Sequence, residues 1–100
     1  MCGIFATLNH HSDSDSVTKT VKSLNCRGPE NSSFKFYEDR FLMFGFNRLA
    51  INGYKEDTSD QPICMNDCTL ICNGEIYNWK ELHKVINIDN TTGSDCEIII

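Results

Sequence analysis

The sequence predicts a layered α+β domain. Three observations carry that prediction. Short apolar or alternating runs of strand length fall at residues 2–8, 34–36, 41–46 and 69–72. Two stretches, after Ser16 and after Asn78, repeat apolar residues at helical spacing. Both element types are present and strands dominate the middle of the chain, which is a pattern of stacked layers.

Cys2 to Leu8 is apolar apart from Thr7 and reads as a buried strand. Residues 9–15 are polar and form a loop, in which His10 and His11, as sequence neighbours, share no face that would make a metal site. Ser16 is placed to cap a helix whose stripe is Val17, Val21 and Leu24. That helix ends before Gly28-Pro29, leaving Cys26-Arg27-Gly28-Pro29-Glu30 as a tight turn.

Phe34-Lys35-Phe36 and the run Phe41 to Phe46, separated by a charged turn, predict a hairpin. Arg48 falls just past its second strand, where a side chain either faces a pocket or lies on the surface with its stem packed. Residues 52–61 read as a loop ending at Pro62. Thr69 to Cys72 is a short strand running into Asn73-Gly74, a turn dipeptide. Asn78 is a candidate N-cap with Glu81 in capping-box position, and Trp79, Leu82, His83 and Ile86 form the helix stripe. His83 on that stripe is expected to be a packed side chain. Ser94-Asp95-Cys96-Glu97 opens a last helix, with Asp95 well placed for the helix dipole.

Composition narrows the function classes. The net charge is −5 and the nine basic residues are scattered, which argues against a general nucleic-acid binder. No apolar run is long enough to cross a membrane, and the N-terminus lacks a signal-peptide pattern. A cytoplasmic location and free thiols are therefore expected for the six cysteines. Cys64, Cys68 and Cys72 recur every four residues without a Cys-x-x-Cys knuckle, so no zinc site is expected. Cys72 reads as strand packing and the other two as incidental. The chain stops at Glu97 to Ile100, just after a helix start, and is expected to be the front part of a longer protein.

Cys2 is the residue with chemical potential. A cysteine directly after the initiator methionine becomes, once Met1 is removed, one residue with a thiol and a free α-amine. Such an amine has a pKa of about 7.7–8.0 and can act as a base near neutral pH. Nucleophiles activated by their own N-terminal amine are known. The competing reading is that Cys2 merely begins a buried strand as a small packing residue.

Five segments tip that balance together. Cys2-Gly3-Ile4-Phe5, Arg27-Gly28-Pro29-Glu30, Asn47-Arg48-Leu49-Ala50-Ile51, Asn73-Gly74-Glu75-Ile76-Tyr77-Asn78 and Gly93-Ser94-Asp95-Cys96-Glu97 stand in order and approximate spacing along the chain. In this they resemble the N-terminal glutaminase domain of asparagine synthetases, a class II glutamine amidotransferase of the N-terminal-nucleophile hydrolase type. Glucosamine-6-phosphate synthase and amidophosphoribosyltransferase share the Cys-Gly start and an Asn-Gly motif, but the Arg48-Leu49-Ala50-Ile51 form looks like the asparagine synthetase one. Cys26 and Glu30 depart from the family's usual His-Arg-Gly-Pro-Asp, so the loop beside the site is expected to be held differently.

The resemblance implies the front part of a four-layer αββα fold with antiparallel sheets, residues 1–100 being a partial glutaminase domain. It implies hydrolysis of L-glutamine to glutamate and ammonia through a thioester on Cys2. Asn73 and Gly74 would form the oxyanion hole. Arg48 would take the substrate α-carboxylate, Asp95 and Glu75 its α-ammonium, and Leu49, Ile51 and Asn52 would complete the pocket. No cofactor is implied for this reaction. ATP and magnesium belong to a synthetase domain that this chain lacks, since no Ser-Gly-Gly-x-Asp-Ser loop occurs in it. That domain of the full-length protein and a second copy of the chain are the protein partners the resemblance allows. The rival readings are a non-catalytic fragment, or the glutaminase of another amidotransferase that feeds ammonia to a different acceptor.

Overall fold

A computed structural model of the chain describes residues 1–8, 13–38, 41–51 and 57–100. Its centre is a three-stranded antiparallel sheet in the order β1-β3-β2, formed by Gly3–Thr7, Leu42–Arg48 and Asn31–Tyr37. A two-stranded hairpin, β4 (Ile63–Met65) and β5 (Cys68–Leu70), lies beside it. The α-helices among the described residues are α1 (Ser14–Ser23) and α2 (Trp79–Ile86). Among the described residues no helix is long and apolar enough to cross a membrane. The α+β class with antiparallel sheets is thus as expected.

Strand β3 is buried on both faces, and the two-residue period assigns its side chains. Met43, Gly45 and Asn47 face α1, while Phe44, Phe46 and Arg48 face the other way. Met43 packs with Val17 and Val21 of α1, and Phe5 joins from β1. Gly45 lets the helix come close, since a Cβ there would sit 2.8 Å from Val21 Cγ2. The edge strand β2 is less covered than β3, and Phe34 and Phe36 remain 60% and 45% exposed.

Several boundaries differ from the sequence expectation. Helix α1 begins three residues earlier, because Asp13 rather than Ser16 is the capping residue, its side chain accepting from the Ser16 amide at 2.7 Å. Leu24 falls in a 3₁₀ turn, Leu24–Cys26. Arg48 is the last residue of β3 rather than a residue beyond it. Strand β4 was not expected, and β5 stops at Leu70, leaving Ile71 and Cys72 irregular. Asn78 does precede α2, but at φ −98° and ψ 20° it lacks the extended backbone of a capping residue, and its side chain makes no cap bond. His83 is buried as expected, 5.9 Å edge-on to Trp79, with Nδ1 2.9 Å from the Ile88 carbonyl.

The last segment, Asp95–Ile99, is a 3₁₀ helix capped by Ser94, whose Oγ accepts from the Cys96 amide at 3.2 Å. The capping box is not completed, because Glu97 turns to the preceding loop. Its carboxylate accepts from the amides of Thr91 and Thr92 and from both threonine hydroxyls, at 2.6–3.2 Å. Burial alone would raise the Glu97 pKa, but these donors outweigh it and hold the group below the usual carboxylate range. The ionised form therefore ties residues 91–92 to the turn carrying Asp95.

Two expectations follow from this packing. Gly28 lies against the end of β3 so closely that a Cβ would sit 2.2 Å from the Asn47 carbonyl oxygen. Gly28→Ala should cost about 1–3 kcal/mol or more in urea unfolding, as forced overpacking does; unchanged stability would contradict the contact. Glu97 has a depressed folded pKa, so its contribution is present above its unfolded value near 4.5 and lost as pH falls through the folded one. Glu97→Gln should destabilise by about 1–3 kcal/mol at neutral pH and by much less in strong acid, with an equal loss at both pH values counting against this account.

Candidate active site

Strand register brings the first motif to the third. Gly3 is paired with Asn47, so the next step along the antiparallel ladder sets Cys2 beside Arg48 and Leu49. The Leu49 amide points at Cys2 Sγ from 3.3 Å, and the Leu49 carbonyl lies 3.6 Å from the same sulfur. Arg27 Nε donates to the Cys2 carbonyl at 3.1 Å, which pins residue 2 from the turn side. Met1 is 72% exposed at the edge of the same site.

The Arg27-Gly28-Pro29-Glu30 turn grips the end of β3 by its backbone. Beyond the Gly28 contact, the Glu30 amide donates to the Arg48 carbonyl at 3.2 Å, and Glu30 Oε2 accepts from the Ala50 amide at 3.3 Å. The Glu30 side chain thus reaches the chain beyond β3. Cys26 is exposed and its thiol donates within its own turn, to the Ser23 carbonyl at 3.8 Å.

Across from Cys2, the segment 72–76 has no strand to hold it, and side chains do so instead. Gln61 Nε2 donates to the Cys72 carbonyl at 3.2 Å, while its Oε1 accepts from the Cys72 amide, so one carboxamide imitates a strand neighbour. Asp95 Oδ2 accepts from the Ile76 amide at 2.6 Å. Residues 73–75 are suspended between these two anchors. A Cβ at position 74 would meet Cys72 Sγ at an ordinary 3.6 Å, so packing within the chain does not demand glycine there.

The elements enclose a cavity of about 260 Å³. Cys2, Arg48, Leu49, Ile51, Asn73, Gly74, Glu75 and Asp95 all line it. Every expected site residue is accordingly brought to one place, except Asn52, which lies outside the described residues. The cavity is also large enough for a small amino acid and too small for a folded partner.

Arg48 is more engaged than its motif suggests. It is 8% exposed, and its Nη1 forms an ion pair with Asp60 at 2.7 Å while Nη2 donates to Ser59 Oγ. Asp60 also accepts from Asn31 Nδ2. Ser59, Asp60 and Gln61 fall in the stretch that the sequence predicts as a loop. Nothing in their spacing marks them, because they reach the site only when the loop folds back on the end of β3.

Three cysteines share the cavity wall, and their surroundings differ. Cys96 is 2% exposed; burial, with the neighbouring Cys72 and the Asp95 charge, pushes its thiol up to about 12. It is a protonated packing group at neutral pH. Cys2 is half-buried, at the open side beside the chain terminus.

The family described as "Glutamine amidotransferase domain" matches residues 1–100. A probable asparagine synthetase [glutamine-hydrolyzing] of Acanthamoeba polyphaga mimivirus is 38% identical over 109 residues, covering 100% of this chain and 19% of that protein. The asparagine synthetase [glutamine-hydrolyzing] of Brassica oleracea is 39% identical over 106 residues, 99% of this chain and 17% of its own length. That of Sandersonia aurantiaca is 40% identical over 106 residues, 99% and 19%. The chain thus spans about a fifth of the length of the curated relatives it matches. With the match running from its first residue to its last, the chain belongs to the glutamine amidotransferase domain family.

Proposed function

We propose that the cavity is a glutaminase site in which Cys2 attacks the side-chain carboxamide of L-glutamine. The observation that carries this reading is the convergence on one small cavity of a terminal cysteine, an Asn-Gly backbone, an arginine and a buried aspartate. The exposed Met1 is accessible for removal, which would leave Cys2 with a free amine.

In this mechanism the Cys2 Sγ–carbon bond forms and the carbonyl oxygen takes up negative charge. The Asn73 side-chain amide and the Gly74 N–H donate to that oxygen, each lowering the barrier by about 3–4 kcal/mol. The Cys2 amine carries the thiol proton to the departing nitrogen, the carbon–nitrogen bond breaks, and ammonia leaves. Water then cleaves the γ-glutamyl thioester to give glutamate and the free thiol. Since packing leaves room for a side chain at 74, the glycine serves the approach of its backbone to the ligand.

The substrate head group is divided by charge. Its α-carboxylate meets the Arg48 guanidinium, joining or exchanging with Asp60. Its α-ammonium faces Asp95 and Glu75, and Leu49, Ile51 and Asn52 close the pocket. This pairing favours a free amino acid over a peptide. The glutaminase step uses only residues of this chain. ATP and magnesium belong to a synthetase domain beyond it, which would use the ammonia to make asparagine from aspartate. The sheets described here would be the front part of a four-layer αββα fold.

The decisive experiment is glutamate release by the full-length protein. Cys2→Ala should still bind glutamine but release no glutamate, and a Met1-retaining form should be inactive; full turnover by either would overturn the mechanism. Amide-labelled glutamine should pass its label to asparagine when aspartate, ATP and magnesium are supplied. Asn73→Ala should lower kcat about 100-fold to 1000-fold, whereas Arg48→Ala should act mainly on KM, as steady-state kinetics will separate.

A further inference from the structure

The face of the central sheet turned away from α1 carries a second cluster of reactive groups, outside the cavity. Register explains how it forms. Tyr37 pairs with Leu42 and Lys35 with Phe44, so both side chains point to this face from the edge strand β2. In the neighbouring hairpin, Cys64 pairs with Thr69, which puts those two side chains on one face, toward β2. The four groups meet. Lys35 Nζ is 3.1 Å from Cys64 Sγ, Tyr37 Oη is 3.7 Å from it, and Thr69 Oγ1 is 3.8 Å from it. Tyr37 and Thr69 also hydrogen-bond each other, and Lys35 Nζ lies 5.2 Å over the Tyr37 ring. The Pro62 carbonyl, 3.6 Å away, is the acceptor a neutral thiol would use.

We propose that Cys64 is a modification site, a lysine-paired thiolate that small hydroperoxides oxidise reversibly to a sulfenic acid. Three titratable side chains from two sheets converge here, which sets this thiol apart from the other exposed ones. An ammonium at 3.1 Å stabilises the anion that is the nucleophilic form, and the tyrosine and threonine hydroxyls can donate to it as well. Partial burial raises the thiol pKa, but the hydrogen bonds from Lys35, Tyr37 and Thr69 and the Lys35 charge more than offset it. Cys64 is exposed, so a small oxidant can reach it.

The reaction balances with the named oxidant. The thiolate sulfur attacks one peroxide oxygen, the S–O bond forms and the O–O bond breaks. Sulfur gives up two electrons and the peroxide accepts them. The departing hydroxide or alkoxide takes a proton from Lys35, which regains one from solvent. Cys68 does not follow as a resolving thiol, because it opposes Met65 and the strand alternation turns it to the other face of the hairpin. The product is therefore a sulfenic acid beside an ammonium, open to a free thiol such as glutathione.

The test compares thiols within the full chain. Cys26 and Cys68 are also exposed and serve as internal controls. Brief hydrogen peroxide treatment followed by dimedone and peptide mass spectrometry should place the adduct on Cys64 at a rate about threefold or more above either control. Lys35→Gln, a change at an exposed side chain, should bring Cys64 down to the control rate, and Lys35→Arg should restore most of the difference. Equal labelling of Cys64, Cys26 and Cys68, or a Lys35→Gln variant with undiminished Cys64 labelling, would overturn the proposal. Cys2 is read separately in the same experiment and bears on the glutaminase site, not on this one.

Discussion

The pairing of β3 with β1 on one side and β2 on the other is the constraint from which the rest of the structure follows. Antiparallel register is discrete, and a slip of one residue would turn every side chain to the opposite face. Gly3 opposite Asn47 and Asn31 opposite Arg48 together set the chain terminus, the end of β3 and the 27–30 turn side by side. Gly28 then seals the arrangement, since its backbone approaches those of Asn47 and Arg48 more closely than any side chain would permit. The sulfur of Cys2 reaches the Leu49 amide as a consequence of these backbone contacts rather than of any attraction of its own.

The opposite wall is built on another principle. Residues 72–76 and 90–94 belong to no sheet, and polar side chains supply the partners that a strand would have given. Gln61 serves Cys72, Asp95 serves Ile76, and Glu97 serves Thr91 and Thr92. Hydrogen bonds of this kind anchor the segment on either side of residues 73–75, which line the cavity.

Charge is distributed with the same economy. Arg48 is nearly buried and kept company by Asp60, so the guanidinium does not stand as an isolated charge in a low-dielectric site. Cys96 shares the cavity wall with Cys2, yet burial keeps its thiol protonated. On the outer part of the same sheet face, Cys64 meets an ammonium instead. One residue type thus occupies three electrostatic settings along one chain.

The sequence by itself determined the element types and the local chemistry. Apolar runs and helical spacing marked β1, β3, α1 and α2, and the five short motifs hold most of the cavity lining, though not Met1, Phe46, Ser59, Gln61 or Cys72. These are properties of neighbours along the chain, where periodicity and turn residues act directly. It also placed helix starts poorly, at Ser16 instead of Asp13 and with a capping box at Asn78 that the backbone does not form, because a cap depends on a few degrees of φ and ψ. Only the tertiary structure decided that Asp60 pairs with Arg48, that Gln61 braces Cys72, and that Lys35 meets Cys64, a cysteine read as incidental. Each of these contacts joins residues from different elements through strand register and loop return. Distances of that kind are set by how the layers pack, and no spacing within the chain encodes them.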